Sequence, residues 1–275
     1  MLTSTVVRGR ARPHRKSVQG TVLWAASERG SDPDFTCRQL GPAVIFTVML
    51  FPDLSDRVDE VRARVDDAVA RGGRGQSVRI VAVTKTHPVS AVRAVLECGL
   101  ADVGENRIQE ALFKISEVAG LPVRWHLIGH LQRNKVKDVD PFHLLHALDS
   151  SRLADALDRW GQGRGRPVDV LVQVNVSEET SKGGFRIPEL AAEAARLRDM
   201  PGLLVRGVMT MAPYEAPEGV LRAVFSGARA ARDVLRAEGH PADELSMGMS
   251  GDYEIAVEEG ATIVRLGTIL FGARS

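Results

Sequence analysis

Cysteine is almost missing from this 275-residue sequence, which carries two, Cys37 and Cys98. Two isolated cysteines make neither a disulfide framework nor a zinc pattern. Aromatic residues amount to 5%, which argues against base-stacking platforms and aromatic-lined polymer grooves. No sign of charge prevails: 36 Lys and Arg stand against 35 Asp and Glu, a net of +1. No global field therefore draws the chain to nucleic acid or to an anionic membrane. Its longest apolar runs fall far short of the roughly 18–20 residues of a membrane span. What the chain has in quantity is hydrophobic side chain, 44% of it, enough for a large core. A single α/β barrel takes about 250 residues. A cytoplasmic globular protein, with neither a nucleic-acid nor a membrane partner, is the expectation.

The first 48 residues differ from the rest. Up to Val48 there are seven Lys and Arg against three acids, a net of +4, and no acid precedes Glu28. An organelle transit peptide is Arg-rich and acid-poor in this way, whereas a secretory signal needs an apolar stretch near its start. The apolar stretch here, 43–51, sits too late and is too short. Residues 1–48 read as a disordered extension, or as a start assigned upstream of the true one at Met49. Residues 49–275 read as one domain.

From Leu54 the pattern becomes regular. Leu54, Val58, Val61, Val65 and Val69 recur at three- and four-residue steps between charged residues, the signature of an amphipathic helix. Gly72-Gly73 ends it. Short apolar runs then alternate with helical stretches, at 78–83, 101–103, 124–127, 144–148, 168–176, 203–209, 244–247 and 262–266. Strands alternating with helices imply parallel pairing through right-handed crossovers. Eight runs predict a closed (β/α)8 TIM-type barrel. The second and seventh runs are short for strands.

Barrels of this type act at the C-terminal ends of their strands. Lys85 follows the first run, in Thr84-Lys85-Thr86-His87-Pro88. A lysine partly desolvated at a barrel mouth has a lowered pKa and an amine free for Schiff-base chemistry; the plainer reading is a solvated lysine at a strand end. The seventh run leads into Ser246-Met247-Gly248-Met249-Ser250-Gly251-Asp252, and the eighth through Arg265-Leu266-Gly267-Thr268. Glycines let backbone N–H groups approach an anion, and Ser250 and Thr268 add hydroxyls. Loops after strands seven and eight are where such barrels hold phosphate. A Schiff-base lysine beside a phosphate pocket points to a phosphorylated carbonyl compound, and pyridoxal 5′-phosphate (PLP) fits best. An aldolase using Lys85 on its own phosphorylated substrate is an alternative.

Seven segments carry a resemblance: VAVTKTHP (81–88), VGENRIQE (103–110), HLIGHLQRNK (126–135), QVNVSEETSKGG (173–184), GVMTMAP (207–213), SMGMSGD (246–252) and VRLGTILFG (264–272). Together they resemble the small PLP-binding barrel proteins of PLP homeostasis, once labelled proline synthase co-transcribed homologues. Those proteins are similar in turn to the N-terminal barrel of alanine racemases. The resemblance covers nearly everything after Met49. It implies that Lys85 carries PLP as an aldimine, that Ser250, Gly267 and Thr268 hold its phosphate, that Arg265 faces the pyridine nitrogen, and that Asn106 lies beside the cofactor. It also implies a PLP carrier without robust catalysis, a monomer or weak dimer whose recipients are apo PLP-dependent enzymes. The physical reading of Arg265 agrees: a guanidinium donates to the ring nitrogen without protonating it, and a neutral pyridine is a poor electron sink.

An amino-acid racemase is the other alternative. Racemisation needs an acid/base on each face of the substrate carbon, and in the racemases the second comes from a C-terminal β domain. The chain continues only nine residues past the last apolar run, and neither Tyr214 nor Tyr253 has a context marking it as a base. His126 and His130 straddle a strand end and lack further zinc-spaced ligands, so they read as hydrogen-bonding histidines, with no metal and no catalytic residue assigned. Arg133-Asn134-Lys135-Val136-Lys137 reads as a solvated helix face, Lys182-Gly183-Gly184 as a loop near the mouth or a turn, and Cys98 as a buried small residue.

Overall fold

The computed structural model describes residues 16–18, 21–23, 51–177 and 183–272. The chain divides into two compact units, Met1–Leu50 and Phe51–Ser275. In the first, the strands Lys16–Val18 and Thr21–Leu23 pair antiparallel. The remainder of the expected disordered extension, with Cys37, lies outside the described residues.

In the second unit, α1 (Leu54–Gly72) buries Leu54, Val58, Val61 and Val65, and stops at Gly73, whose φ of 61° is left-handed. Eight parallel strands form the barrel: β1 (Arg79–Val83), β2 (Asp102–Glu105), β3 (Arg124–Leu127), β4 (Leu144–Leu148), β5 (Val168–Asn175), β6 (Leu203–Met209), β7 (Glu244–Ser246) and β8 (Ile263–Leu266), and a two-residue strand, Phe185–Arg186, pairs with the end of β5 beside them. They pair in the order β4-β3-β2-β1-β8-β7-β6-β5, and β4 also pairs with β5, so the sheet closes. A closed (β/α)8 barrel is what the eight runs predict, and the short second and seventh runs are both strands.

The outer helices are α2 (Val89–Glu97), α3 (Ile108–Glu117), α4 (Ser151–Gly163), α5 (Leu190–Arg198), α6 (Glu218–Ala237) and the short α7 (Tyr253–Glu258) and α8 (Thr268–Phe271). Between β3 and β4 the crossover is one six-residue 3₁₀ segment, Arg133–Asp138, which turns Val136 inward. Cys98 caps the end of α2 half-buried rather than buried.

Strand residues alternate between two cores, as the two-residue period of a strand requires. Ile80, Ala82, Val103, Trp125, Leu127 and Leu145 face the helices in the larger core. Val81, Leu144, Leu171, Met209 and Ile263 pack separately, as side chains filling the lumen of a barrel do. The lumen also holds polar groups, His126, His146, Ser246 and Arg265, all buried.

β6 lies against β7 with Gly207 opposite Glu244. Gly207 has φ 154°, and a Cβ there would sit 1.9 Å from the Glu244 carbonyl oxygen. Gly207→Ala must separate these strands and should lower stability by about 1–3 kcal/mol, as read by denaturant titration.

Candidate functional site

Lys85 stands just beyond β1, and the residues on either side of it are held from below. Thr84 is fully buried. Its hydroxyl donates to Glu105 Oε1 at 2.6 Å, and its carbonyl accepts from Lys114 Nζ at 2.7 Å. Thr86 has φ 67°, a conformation that is an outlier for a β-branched residue. Its N–H donates to Glu110 Oε1 at 2.6 Å. Lys114 ties the two halves together, donating to Glu105 and Glu110 at 2.8 Å each. An ammonium has three donors, and all three are used. Burial pushes the Glu105 carboxyl above its usual range, and Lys114 and Thr84 pull against that.

The strand-end loops enclose a cavity of about 470 Å³ at the C-terminal mouth. Lys85, Asn106, Ser250, Arg265, Gly267 and Thr268 all line it, so the six residues expected to bind the cofactor meet in one place. Met211, Tyr214 and Asp252 line it too; Met211 and Asp252 lie in two of the segments that carry the resemblance without a role read for them, and Tyr214 is weighed from the sequence only as a base. The loops after β7 and β8 are joined where the Ile269 N–H donates to Ser250 Oγ at 3.3 Å. A side chain at Gly251 would meet no atom within 4 Å, and one at Gly267 would come no nearer than ordinary contact, with Val83 at 3.5 Å. The space before these two backbones is open to a ligand, and the volume suits a small molecule or cofactor.

Arg265 is buried at the base of the cavity. Nη1 donates to Ser246 Oγ at 2.6 Å, and Nη2 to the Thr210 carbonyl at 3.0 Å. Desolvation pulls its pKa down to about 10, with Asp252 opposing, so the group stays a cation at neutral pH. Asp252 is raised by its own burial, although its Oδ1 accepts from the Met249 N–H at 2.6 Å.

His126 and His130, which the sequence sets four apart, turn to different partners. His130 is exposed and bonds Asp149. His126 is buried, with Nδ1 2.9 Å from His146 Nε2 and Nε2 2.8 Å from Asp102 Oδ1. His146 Nδ1 lies 2.9 Å from Ser246 Oγ. Neither His146 nor Ser246 was marked from the sequence, although a histidine inside the run Leu144-Leu145-His146-Ala147-Leu148 is a polar residue where only apolar ones are expected. Lys182 of the expected mouth loop lies outside the described residues.

The pattern of the family described as "Alanine racemase, N-terminal domain" matches residues 57–275. The "Pyridoxal phosphate homeostasis protein" of Aquifex aeolicus is 42% identical over 223 residues, covering 80% of this chain and 97% of the relative. That of Pseudomonas aeruginosa is 40% identical, covering 80% and 96%. The chain belongs to the pyridoxal phosphate homeostasis protein family. Among solved structures, PipY of Synechococcus elongatus, determined with PLP bound, has 34% identity and a TM-score of 0.71, covering 80% of this chain and all of PipY. Alanine racemase from Corynebacterium glutamicum shares the fold, with a TM-score of 0.63 at 16% identity. The matched region is 62% of that racemase. Family membership thus rests on sequence across the whole barrel unit, and the racemase likeness is one of fold.

Burial holds His126 below its usual pKa and His146 well below. Both are neutral in the folded state and take up protons on unfolding in acid. The unfolded chain binds more protons below about pH 6.5, so stability falls with pH there, by about 1.4 kcal/mol per unit for each histidine until its folded pKa is reached. Urea titrations at pH 7, 6 and 5 measure this slope; a flat profile would mean that the two histidines are charged when folded.

Proposed function

We propose that the chain binds PLP at the barrel mouth, covalently on Lys85, and serves as a carrier that buffers the cofactor rather than as an enzyme. The observation carrying this reading is the convergence of an amine, a buried cation and two hydroxyl-bearing glycine loops on one cavity. Bound PLP supplies an aldehyde that a lysine amine captures reversibly.

The chain's residues fit that task. Thr84 and Thr86, each tied to the Lys114 cluster, fix the backbone from which Lys85 reaches into the cavity. Ser250, Thr268 and Gly267 would hold the phosphate, where two joined loops leave open space. Arg265 would hold the ring nitrogen. It has only donors, and with a pKa of about 10 it keeps its protons. Asn106 would lie alongside. Such an arrangement keeps the ring nitrogen unprotonated, which disfavours reactions that store electrons in the ring.

A racemase reading needs a second acid/base facing the cofactor. Tyr214 lines the mouth and is 88% exposed, but the neighbouring Glu215 pushes its phenol above the ordinary range. A phenol harder to ionise supplies less of the phenolate that would act as the base at neutral pH. Among the described residues no helix is long and apolar enough to cross a membrane.

Purified protein incubated with PLP should show a visible band. Borohydride reduction and peptide mapping should then find the phosphopyridoxyl group on Lys85. Lys85→Ala should fold normally and lose the covalent adduct; an adduct on another lysine, or no band in the wild type, counts against the reading. Arg265→Ala should move the band and speed PLP loss about tenfold, whereas an unchanged spectrum would put Arg265 away from the ring.

A further inference from the structure

Arg265 carries a full charge into the barrel, and among the described residues no carboxylate forms an ion pair with it; Asp252 acts on it from farther off. Its hydrogen-bond partners among the described residues are a hydroxyl and a carbonyl, Ser246 Oγ and Thr210 O. Behind Ser246, however, runs a continuous chain of buried groups. Ser246 Oγ, His146, His126 and Asp102 follow one another at 2.9, 2.9 and 2.8 Å. The two histidines and the serine are fully buried, and Asp102 is 4% exposed. The chain crosses the lumen from the start of β2 to the ends of β7 and β8. At its far end Arg124, half exposed, caps the Asp102 carboxylate.

The ends dictate the direction of every bond between them. Arginine only donates and an ionised carboxylate only accepts. Asp102 is held ionised by Arg124 and His126. His126 must then carry its proton on Nε2 to meet Asp102, which leaves Nδ1 as an acceptor. His146 must donate from Nε2, which leaves its Nδ1 to accept from the Ser246 hydroxyl. The Ser246 oxygen in turn receives Arg265. The opposite order would set the bare Nε2 of His126 against a carboxylate oxygen at 2.8 Å, two acceptors face to face. Since a guanidinium accepts no proton, the chain is not a route for protons either.

We infer that Asp102, His126, His146 and Ser246 form a polarised relay that presents the charge of Asp102 to Arg265 and fixes the guanidinium without a direct ion pair. Every dipole in it points its negative end toward Arg265, and aligned hydrogen bonds strengthen one another in a low-dielectric interior. A carboxylate in direct contact would occupy the donors that face the cavity. A relay delivers part of the same compensation and leaves those donors for an acceptor atom of the ligand. These four are positioning residues; they act through Arg265. The ligand side of this inference rests on the PLP reading above.

Two measurements test it. In the protein without PLP, labelled with ¹⁵N-histidine, long-range proton–nitrogen correlation should find His126 and His146 both neutral and both protonated on Nε2. Histidine-to-glutamine variants at each position assign the signals. A proton on Nδ1 of either residue overturns the relay, whatever the fate of the PLP reading, so the two failures are distinguishable. In the PLP-loaded protein, Ser246→Ala should shift the visible band and speed PLP loss about tenfold, with melting temperature recorded alongside. In an Arg265→Ala background the same change should add nothing to either readout. A folded Ser246→Ala protein with the wild-type band, or effects that simply add, would reduce the chain to packing.

Discussion

The burial of one guanidinium organises the interior of this barrel. Moving a cation from water into a protein interior costs several kcal/mol after relaxation, and desolvation of Arg265 shows in a pKa drawn down to about 10. Lumen positions that a barrel ordinarily fills with branched aliphatics are here given to His126, His146 and Ser246, all fully buried. Each of these polar groups has a hydrogen-bond partner within the chain. A half-satisfied polar network would be worse than an apolar core, so Arg265 in the lumen obliges the other positions to follow.

The second buried ionic cluster does a different job, two strands away from β8 at the end of β2. Glu105 and Lys114 are both nearly inaccessible, and Lys114 spends its three donors on Thr84, Glu105 and Glu110. These contacts fix the backbone on both sides of Lys85 and offset the strain of Thr86 at φ 67°. Arg265 is thus held from within the lumen, and Lys85 from the layer between sheet and helices. Two separately supported groups of known orientation face one cavity. Preorganisation of this kind lowers the cost of ordering a ligand on arrival.

Much of this was legible in the sequence. The eight apolar runs correspond to eight strands because a parallel strand buried on both faces reads as continuous hydrophobicity. The strand-end residues Lys85, Ser250, Gly267 and Thr268 meet because barrel topology brings every strand's C-terminal end to one rim. The rest was hidden for identifiable reasons. Lys114 and Glu110 stand four apart and read as an ordinary exposed helix pair; that Lys114 is buried depends on the packing of α3. The crossover after β3 shrinks to a 3₁₀ segment, which no helical period announces. Ser246 closes the three-residue strand β7 and is followed at once by a glycine-containing loop, so it reads as one small residue among several. The relay spans residues 102 to 265, and no local pattern connects them.

Whether a site of this design keeps its cofactor or transforms a substrate depends on what surrounds the reactive carbon. The supporting contacts act on the residues proposed to anchor PLP: the Lys114 cluster on the backbone around Lys85, the hydrogen bond that joins the two loops at Ser250, and the proposed relay on Arg265. The tyrosine at the mouth is neither buried nor made easier to ionise, and a proton-transfer group needs a pKa near the working pH to be efficient. Stabilisation spent on ground-state anchors binds the ligand equally before and during any reaction, and uniform binding does not raise a turnover rate. On the proposed reading, a fold that fixes Lys85 and Arg265 beside Ser250 and Thr268, and leaves Tyr214 solvated at the mouth, holds and returns the cofactor.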